Sequence, residues 1–222
     1  MTGNVLKYNI GLGTTNGTWI GALNWPLTVL PLFVARNSTV LLTMTIFSSV
    51  STLLLMELSS GTTLLSRNIS NTFKKMNVTS DFTKAFLWTS TTSLLIINVA
   101  DLTDLYAWNP PVTPVIDSTG KITFNQANSL AIIETDSSNR IFIMNLGNFE
   151  ITNAIVSPGV VREAYFLDPE STIVMIIGTS NLIFKDLVLN REFSLSPKLA
   201  TAYACDKNYH LYTCAFDIVE EF

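Results

Sequence analysis

The amino-acid sequence predicts an all-β fold made of repeated four-stranded units, and two observations lead to this prediction. The first is a short pattern of a polar residue, a branched aliphatic residue and usually a small residue. It closes an extended apolar run at five places: Asn9-Ile10-Gly11, Glu57-Leu58-Ser59, Asn98-Val99-Ala100, Asn145-Leu146-Gly147 and Asp186-Leu187-Val188. Successive copies lie 48, 41, 47 and 41 residues apart. A period of about 40–45 residues is typical of the four-stranded blade of a β-propeller.

The second observation concerns the two ends of the chain. The path from Asp186 to Phe222, continued from Met1 to Asn9, amounts to one more period. Residues 4–10 have the pattern of a third strand, and residues 200–217 have that of a first and a second strand with no third strand after them. Because open first and last blades would leave unpaired strand edges, we expect the N-terminal and C-terminal strands to join. The sequence thus predicts a single domain over 1–222 with five blades, in units 19–66, 67–116, 117–157, 158–197, and 198–222 completed by 1–18.

Each unit can be divided into four strands separated by turns. Asn, Asp and Ser favour turns because their side chains bond the local backbone, and such residues cluster near positions 37, 81, 127, 169 and 207. The second and third strands of the units are almost continuous apolar runs, as expected of strands buried on both faces. The predicted strands are 73–78, 84–89, 93–99 and 104–108 in the second unit, 121–125, 129–134, 140–146 and 149–155 in the third, and 160–166, 172–177, 181–187 and 191–195 in the fourth.

A family resemblance follows from the third strands. The runs Leu54-Leu55-Met56-Glu57-Leu58, Phe142-Ile143-Met144-Asn145-Leu146 and Leu182-Ile183-Phe184-Lys185-Asp186-Leu187 resemble the third strand of WD repeats, which ends in a Trp-Asp pair. No repeat of this chain has Trp-Asp, and the single histidine, His210, leaves the Gly-His element of that family without a match. The resemblance therefore implies a divergent WD-repeat-like propeller, and it carries none of the family's His–Asp network to any residue here.

Composition excludes several classes of protein. The chain has 222 residues, of which 48% are hydrophobic and 14% charged, and its mean hydropathy is +0.37. This excludes a disordered chain. The net charge is −4 and the isoelectric point is about 4.9, with no basic stripe, so we expect no nucleic-acid binding.

A membrane-spanning segment is the main alternative for the first part of the chain. Residues 8–35 and 37–56 carry no charge, and both are long enough to cross a bilayer. Asn, Gly and Pro interrupt the first stretch, and Ser48-Ser49 and Ser51-Thr52 interrupt the second. We therefore expect residues 40–46 and 52–56 to be two buried strands rather than one helix.

Cysteines and glycosylation motifs bear on the cellular location. Cys205 and Cys214 flank a predicted hairpin turn that would pair Cys205 with His210, which favours two free thiols and leaves a disulfide open. The Asn-x-Ser/Thr motif would make sites of N-glycosylation only in a secreted protein, and its number matches chance; its asparagines are Asn16, Asn37, Asn68 and Asn77. Met1-Thr2-Gly3-Asn4 does not begin a signal peptide, so the expectation is an intracellular protein, with an extracellular one still open.

Catalytic and metal-binding patterns are weak. With one His and two Cys, the sequence offers no ligand cluster, no nucleophile triad and no phosphate-binding loop, so we expect no metal site and no cofactor. Glycoside hydrolysis would need two acids facing one pocket. The acids here do not recur at one position of the units, so they need not converge on a pocket. Glu163 is expected within a first strand, and the other candidates are expected in solvated turns: Asp101, Asp104, Asp168, Glu170 and Asp206.

A binding surface is the stronger expectation. The loops between the second and third strands, and those between successive units, meet on one face of a propeller. They hold tryptophans and arginines, the residue types that dominate binding hot spots: Trp19, Trp25, Arg67, Trp108, Arg140 and Arg162. The competing interpretation packs Trp19, Trp25 and Trp108 between blades, and Trp88 is expected in the core.

The sequence therefore predicts a non-catalytic platform that binds another protein through one face. One alternative is an extracellular propeller that binds carbohydrate or hydrolyses glycosides. The other is a structural piece of a larger propeller or assembly.

Overall fold

The computed structural model describes residues 3–7, 18–23, 31–47, 50–57, 60, 62–70, 73–89, 93–109, 121–135, 139–168, 170–178, 181–195, 202–205, 211–215 and 218–221. Every regular element in these residues is a β-strand. The chain divides into two compact units, Met1–Pro110 and Pro111–Phe222.

The described residues of the first unit form ten strands, and all pairing among them is antiparallel and between strands that are adjacent in sequence. Two four-stranded sheets follow a hairpin: β1 pairs with β2, sheet 1 has the order β3-β4-β5-β6, and sheet 2 has the order β7-β8-β9-β10. The bounds are β1 Gly3–Lys7, β2 Thr18–Leu23, β3 Pro31–Arg36, β4 Val40–Phe47, β5 Val50–Glu57, β6 Thr63–Ile69, β7 Phe73–Val78, β8 Lys84–Thr89, β9 Leu94–Asn98 and β10 Asp104–Trp108.

The second unit repeats this plan. Sheet 3 has the order β11-β12-β13-β14, sheet 4 has the order β15-β16-β17-β18, and β19, β20 and β21 form a three-stranded sheet. The bounds are β11 Ile122–Phe124, β12 Leu130–Thr135, β13 Arg140–Asn145, β14 Ile151–Val156, β15 Val161–Phe166, β16 Ile173–Gly178, β17 Leu182–Asp186, β18 Arg191–Leu195, β19 Ala202–Cys205, β20 Leu211–Ala215 and β21 Ile218–Glu221.

The C-terminal sheet corrects one expectation. Its first two strands were predicted to have no third strand after them, but β21 pairs with β20 from Tyr212↔Glu221 to Ala215↔Ile218. The error arose because Ile218-Val219 is a short apolar run that ends in acids, and such a run gives a weak strand signal. At the other end of the chain, β1 pairs with β2. The joining of the terminal strands in one blade, and a total of five blades, stay predictions.

The uncharged stretch of the first unit forms two strands, as predicted. β4 and β5 pair residue by residue from Val40↔Glu57 to Phe47↔Val50. Residues 41–45 of β4 are all buried, and in β5 buried side chains mostly alternate with half-buried ones. In the described part of the chain, no helix is long and apolar enough to cross a membrane.

The predicted hairpin register of the two cysteines is wrong. Cys205 lies opposite Leu211, not opposite His210, and Cys214 lies opposite Ala202. The connection between β19 and β20 is therefore five residues long, where the sequence predicted a tighter turn. Within this ladder the two cysteines are not cross-strand partners.

The turns between first and second strands share one geometry in sheets 2, 3 and 4. Each begins with a side chain that accepts hydrogen bonds, and its fourth residue has a positive φ: Phe82 at 60°, Asn128 at 51° and Ser171 at 61°. Asn125 Oδ1 accepts the N–H of Leu130 at 2.9 Å, and Asp168 Oδ1 accepts the N–H of Ile173 at 2.7 Å. Local side-chain acceptors of this kind replace ladder partners where the chain reverses.

The turns between third and fourth strands explain the recurring pattern of the sequence. The side chain of the polar residue accepts a hydrogen bond from the N–H two residues later. Asn98 Oδ1 accepts the N–H of Ala100 at 3.1 Å, and Asn145 Oδ1 accepts the N–H of Gly147 at 2.8 Å. A Cβ at Gly147 would lie 3.2 Å from Asn145 Oδ1, a close contact with the accepting side chain. The aliphatic residue turns inward, and Val99 and Leu146 are buried.

The same aliphatic residue joins the two turns of its sheet. The N–H of Val99 donates to Thr83 O at 2.9 Å, and that of Leu146 donates to Ser129 O at 2.8 Å. In sheet 4 the N–H of Leu187 donates to Thr172 O at 2.7 Å. In sheets 2, 3 and 4, the two turns at this end thus form one hydrogen-bonded structure.

Two neighbouring sheets share an apolar core in each unit. In the first unit, Leu42, Leu53 and Leu55 of sheet 1 cluster with Leu87 and Ile97 of sheet 2. In the second, the shared cluster joins sheets 3 and 4; it includes Ile132, Ile141, Ile143, Ile155, Val174, Ile176 and Ile183. Trp88 is fully buried, as predicted. Burial of this kind stabilises by about 25 cal/mol per Å² of apolar surface.

Candidate functional site

Each four-stranded sheet has two different ends. The turn end carries the two short turns described above. The loop end carries the connection between the second and third strands and the connection to the next sheet, and it is the predicted binding face. In the second unit, the described part of the loop end centres on residues 157–160, which join β14 to β15.

The connection at 157–160 is held in place by one backbone hydrogen bond and one contact to a serine hydroxyl. Ser157 is buried, and its N–H donates to Asn139 O at 2.7 Å. The N–H of Gly159 reaches Ser157 Oγ at 3.4 Å. Val156 and Val160, on either side, are 60% and 52% exposed. Two large aliphatic side chains therefore stand in solvent on a fixed backbone.

Two of the predicted arginines lie at this loop end. Arg140 is half-buried and pairs in the ladder with Val156. Arg162 is exposed, and it is the extra residue of a bulge between the pairs Val161↔Gly178 and Glu163↔Ile177. A bulge turns one side chain away from the regular alternation of the strand. We refer to Val156, Val160 and Arg162 as the 156–162 surface.

Two carboxylates join sheets 3 and 4 beside this surface. Glu134 of β12 is buried, and its Oε1 accepts the N–H of Ala164 at 3.0 Å. Glu163 is exposed and pairs with Lys121 Nζ at 3.2 Å. The exposed charge of Glu163 is thus balanced, and that of Arg162 is not matched by any ion pair among the described residues.

The other predicted binding residues do not gather there. Trp108 is only 6% exposed, so it is a packed residue of β10. Arg67 lies in β6 and is engaged by Asp104 through contacts of 2.7 and 2.8 Å; this hydrogen-bonded pairing raises the pKa of Arg67. Trp19 lies in β2, where the structure describes only the backbone, and Trp25 lies outside the described residues.

The four glycosylation motifs differ in environment. Asn68 is exposed in β6, and its Oδ1 accepts the hydroxyl of Thr52 at 2.8 Å. Asn37 caps a turn by accepting the N–H groups of Thr39 and Val40, both at 2.8 Å. Asn77 lies in β7, and its Oδ1 is buried without a partner among the described residues. Asn16 lies outside the described residues. Of the described motifs, only that of Asn68 presents an exposed asparagine.

Sequence reasoning missed the bulges that shape this end of the sheets. The first strands of sheets 1 and 2 have the same irregularity as β15, with Leu32 and Lys74 as the extra residues. A bulge adds one residue without changing composition, so hydrophobic alternation over a six-residue strand does not reveal it. Val156 was also missed, because an exposed valine at a strand end has no distinguishing signal.

Asp168 and Asp101 accept local hydrogen bonds that hold turns. Burial raises the pKa of Asp168, but hydrogen bonds from the Thr172 hydroxyl and the N–H groups of Ile173 and Thr172 outweigh it, and the pKa of Asp168 lies below its usual range. Hydrogen bonds from Thr103 lower the pKa of Asp101 in the same way. In the described part of the chain, no three His, Cys, Asp or Glu residues come together as a metal site.

Comparison with known proteins identifies the fold of this chain, through solved structures. No family model matches the sequence, and no curated protein matches it either. Solved structures do match: a hydrazine synthase of Kuenenia stuttgartiensis (TM-score 0.56, 11% identity), BamB of Moraxella catarrhalis (0.58, 11%) and the C-terminal WD40 domain of Sif2 (0.58, 12%). The alignments cover 87%, 88% and 87% of this chain and 59%, 60% and 60% of those chains, respectively.

The chain therefore has the β-propeller fold, as the repeat period predicted. Four antiparallel four-stranded sheets are present in the described residues. The likeness at 11–12% identity concerns the fold alone. This chain spans about three fifths of the length of the structures that it matches.

Proposed function

We propose that this propeller binds a partner protein through the 156–162 surface. The observation that carries the proposal is the pair of exposed valines beside Arg162, on a backbone fixed by the hydrogen bonds of Ser157. Aliphatic side chains in water favour burial against a partner, and an arginine at the edge of such a patch adds charged contacts. A pre-formed backbone lowers the entropy lost on binding.

The propeller fold suits this role because the sheets are rigid and their loop ends are free to vary. BamB and a WD40 domain are among the structures with the same fold. A catalytic role has less support, because Asp168 caps a turn, Glu163 pairs with a lysine and Asp104 pairs with an arginine. The carbohydrate-binding alternative lacks a specific contact in its favour.

The test compares a surface variant with a matched control. In Val156→Ser/Val160→Ser/Arg162→Glu, the exposed groups of the 156–162 surface are replaced. In Val188→Ser/Leu189→Ser, two exposed aliphatic residues at the turn end of sheet 4 are replaced instead. Both variants should keep the circular dichroism spectrum and unfolding midpoint of the wild type.

Quantitative affinity enrichment from a lysate of the source cells gives the readout. We expect proteins enriched by the wild type and by the turn-end control to be lost with the surface variant. Equal enrichment by all three forms would show that binding does not use this surface.

A second candidate follows from the lengths of the matched structures. Each extends well beyond the part that this chain covers, which favours the hypothesis that the chain contributes to a larger propeller or assembly. Amide hydrogen exchange separates the two cases. A ring closed within this chain protects residues 3–7 and 211–221 as strongly as β8 and β13. A piece of a larger ring exchanges rapidly in those terminal strands.

A further inference from the structure

The outermost strand of sheet 4 differs from the outermost strands of the other sheets. In sheets 1, 2 and 3, that strand pairs irregularly with its neighbour, and the extra residues are Leu64, Leu105 and Thr152. Each lies seven residues after the polar residue of the recurring pattern. The equivalent residue in sheet 4 is Phe193, which pairs regularly with Phe184.

The consequence is a regular strand edge. β18 pairs with β17 at every position from Leu182↔Leu195 to Asp186↔Arg191. In the described part of the chain, no strand pairs with the other edge of β18. Bulges twist an edge away from incoming strands, whereas a regular edge presents an evenly spaced row of N–H and C=O groups.

The side chains of β18 give this edge a defined chemistry. Phe193 is 60% exposed, and Arg191, two residues away on the same face, is exposed too. Asp186 lies opposite Arg191, but its Oδ1 accepts the N–H groups of Val188 and Leu189. Arg191 makes no ion pair among the described residues.

The opposite face of β18 is already balanced in charge. Glu192 lies 4.0 Å from Lys185 Nζ across the two strands. The unmatched charge of this edge is therefore positive, and it stands beside an exposed aromatic ring.

We propose that β18 binds an extended segment of a partner protein as a fifth strand of sheet 4. One apolar side chain of the segment packs on Phe193, and one carboxylate pairs with Arg191. In an antiparallel addition, the acidic residue lies two positions C-terminal to the apolar residue, because residues i and i+2 of a strand share a face. Main-chain hydrogen bonds supply affinity in this mode, and the side-chain pair supplies specificity.

Synthetic peptides test this proposal directly, with the whole chain as receptor. The probe is a fluorescein-labelled peptide of sequence Thr-Thr-Val-Thr-Glu-Thr-Thr, followed by fluorescence anisotropy. A second peptide has Lys in place of Glu. Two further peptides carry backbone N-methyl groups at alternate residues, one at the odd positions and the other at the even positions. In one of the two, the methyl groups therefore replace the N–H groups that would face β18. We expect the Glu peptide to bind about tenfold more tightly than the Lys peptide, and at least one methylated peptide not to bind.

Variants of β18 locate the site. Arg191→Glu should reverse the preference between the Glu and Lys peptides, and Phe193→Thr should weaken both. Leu64→Thr is the matched control, because Leu64 is 49% exposed at the equivalent position of β6, whose pairing with β5 is irregular. It should bind the Glu peptide as the wild type does. All three positions are exposed, so the variants should fold normally.

Several results would overturn the proposal. They are equal affinity for the Glu and Lys peptides, full affinity of both methylated peptides, and unchanged binding by Arg191→Glu. Sedimentation velocity without peptide tests whether the chain associates with itself through β18. A dimer that forms with rising concentration and disappears in Phe193→Thr would mean that a second copy occupies β18, which contradicts a foreign segment. The 156–162 surface is a separate site, so its function does not depend on these outcomes.

Discussion

Two nitrogens of the Arg67 guanidinium contact the carboxylate of Asp104, at 2.7 and 2.8 Å, and the guanidinium also donates a hydrogen bond to the carbonyl oxygen of Leu102. Arg67 belongs to β6 and Asp104 begins β10. The pair therefore joins the outermost strands of sheets 1 and 2. A forked contact of this kind is the strongest form of a surface ion pair.

Removing this pair should weaken the first unit. We expect Arg67→Ala to lower the free energy of unfolding by about 1 kcal/mol, since the pair is partly exposed and Leu102 also loses a donor. A double-mutant cycle with Asp104→Ala should give a coupling of about 0.5–1 kcal/mol in urea unfolding.

The pair of Lys121 and Glu163 is the control for this cycle. It has a single contact at 3.2 Å, and both side chains are more exposed than Arg67. Its coupling should be smaller, and 1 M NaCl should reduce both couplings. A larger coupling for Lys121 and Glu163 would contradict the importance of the forked geometry.

Asp168 should make stability depend on pH at acidic values. Its pKa is lower in the folded protein than the ordinary value of about 3.9, because its hydrogen bonds to Thr172 and Ile173 favour the carboxylate. This stabilisation is complete above the unfolded pKa and is lost as pH falls through the folded pKa. We expect the urea midpoint of the wild type to fall more steeply below about pH 4 than that of Asp168→Asn.

Glu170→Gln serves as the matched variant in the same turn. Glu170 is exposed and accepts no hydrogen bond from the described residues. Its acid unfolding curve should follow the wild type. Identical pH dependence of the wild type and Asp168→Asn would refute a structural role for the ionised carboxylate.

Gly178 leaves room for the side chain of Asn181. A Cβ at Gly178 would lie 2.3 Å from Asn181 Oδ1 and 3.1 Å from Asn181 O. Gly178→Ala should therefore lower the free energy of unfolding by about 1–3 kcal/mol, since part of the clash is with backbone. Both amide atoms of Asn181 are buried without a described partner, so Asn181→Ala should cost little.

The double variant gives the sharper measurement. Gly178→Ala/Asn181→Ala should be more stable than the sum of the single effects predicts, because the side-chain clash disappears. Thermal unfolding by calorimetry measures all four forms. Simple additivity would mean that the clash with Asn181 is not what limits this site.

Asn190 should tolerate glycine but not a β-branched residue. It is exposed at the end of the turn before β18, and its φ is 53°. Left-handed backbone disfavours L-residues with bulky Cβ groups by about 1–2 kcal/mol. We expect Asn190→Val to lower the free energy of unfolding by this amount and Asn190→Gly to leave it unchanged or slightly higher.

Leu189→Val controls for the change of side chain at a neighbouring exposed position. Leu189 is not among the residues with positive φ. This variant should stay within about 0.5 kcal/mol of the wild type. Equal losses in Asn190→Val and Leu189→Val would show that φ is not the cause.

The strands and most turns could be predicted because local chemistry repeats. Asn98, Asn145 and Asp186 accept backbone hydrogen bonds wherever a third strand ends, so their recurrence marks each sheet in the sequence. The second strands were also predictable, because burial on both faces leaves continuous apolar runs. The C-terminal strand Ile218–Glu221 was missed because its charged residues conceal the apolar run.

The binding surface could be predicted only in part. Arg162 was identified from its residue type and loop position, but its placement depends on a bulge that has no sequence signature. Arg67 and Trp108 look equally suitable in the sequence. Their actual roles arise from tertiary contacts, with Asp104 for Arg67 and with the packed interior for Trp108.

The hydrogen bonds that join the two turns of a sheet, such as Val99 to Thr83 and Leu146 to Ser129, have an evolutionary consequence. Donor, acceptor and both capping side chains lie within one stretch of about 45 residues. Duplication of that stretch in a gene copies a sheet together with everything that holds its turns. Such a protein can gain or lose a blade in one event, without compensating changes elsewhere in the turns, and blade number can diverge faster than the chemistry of the blade itself.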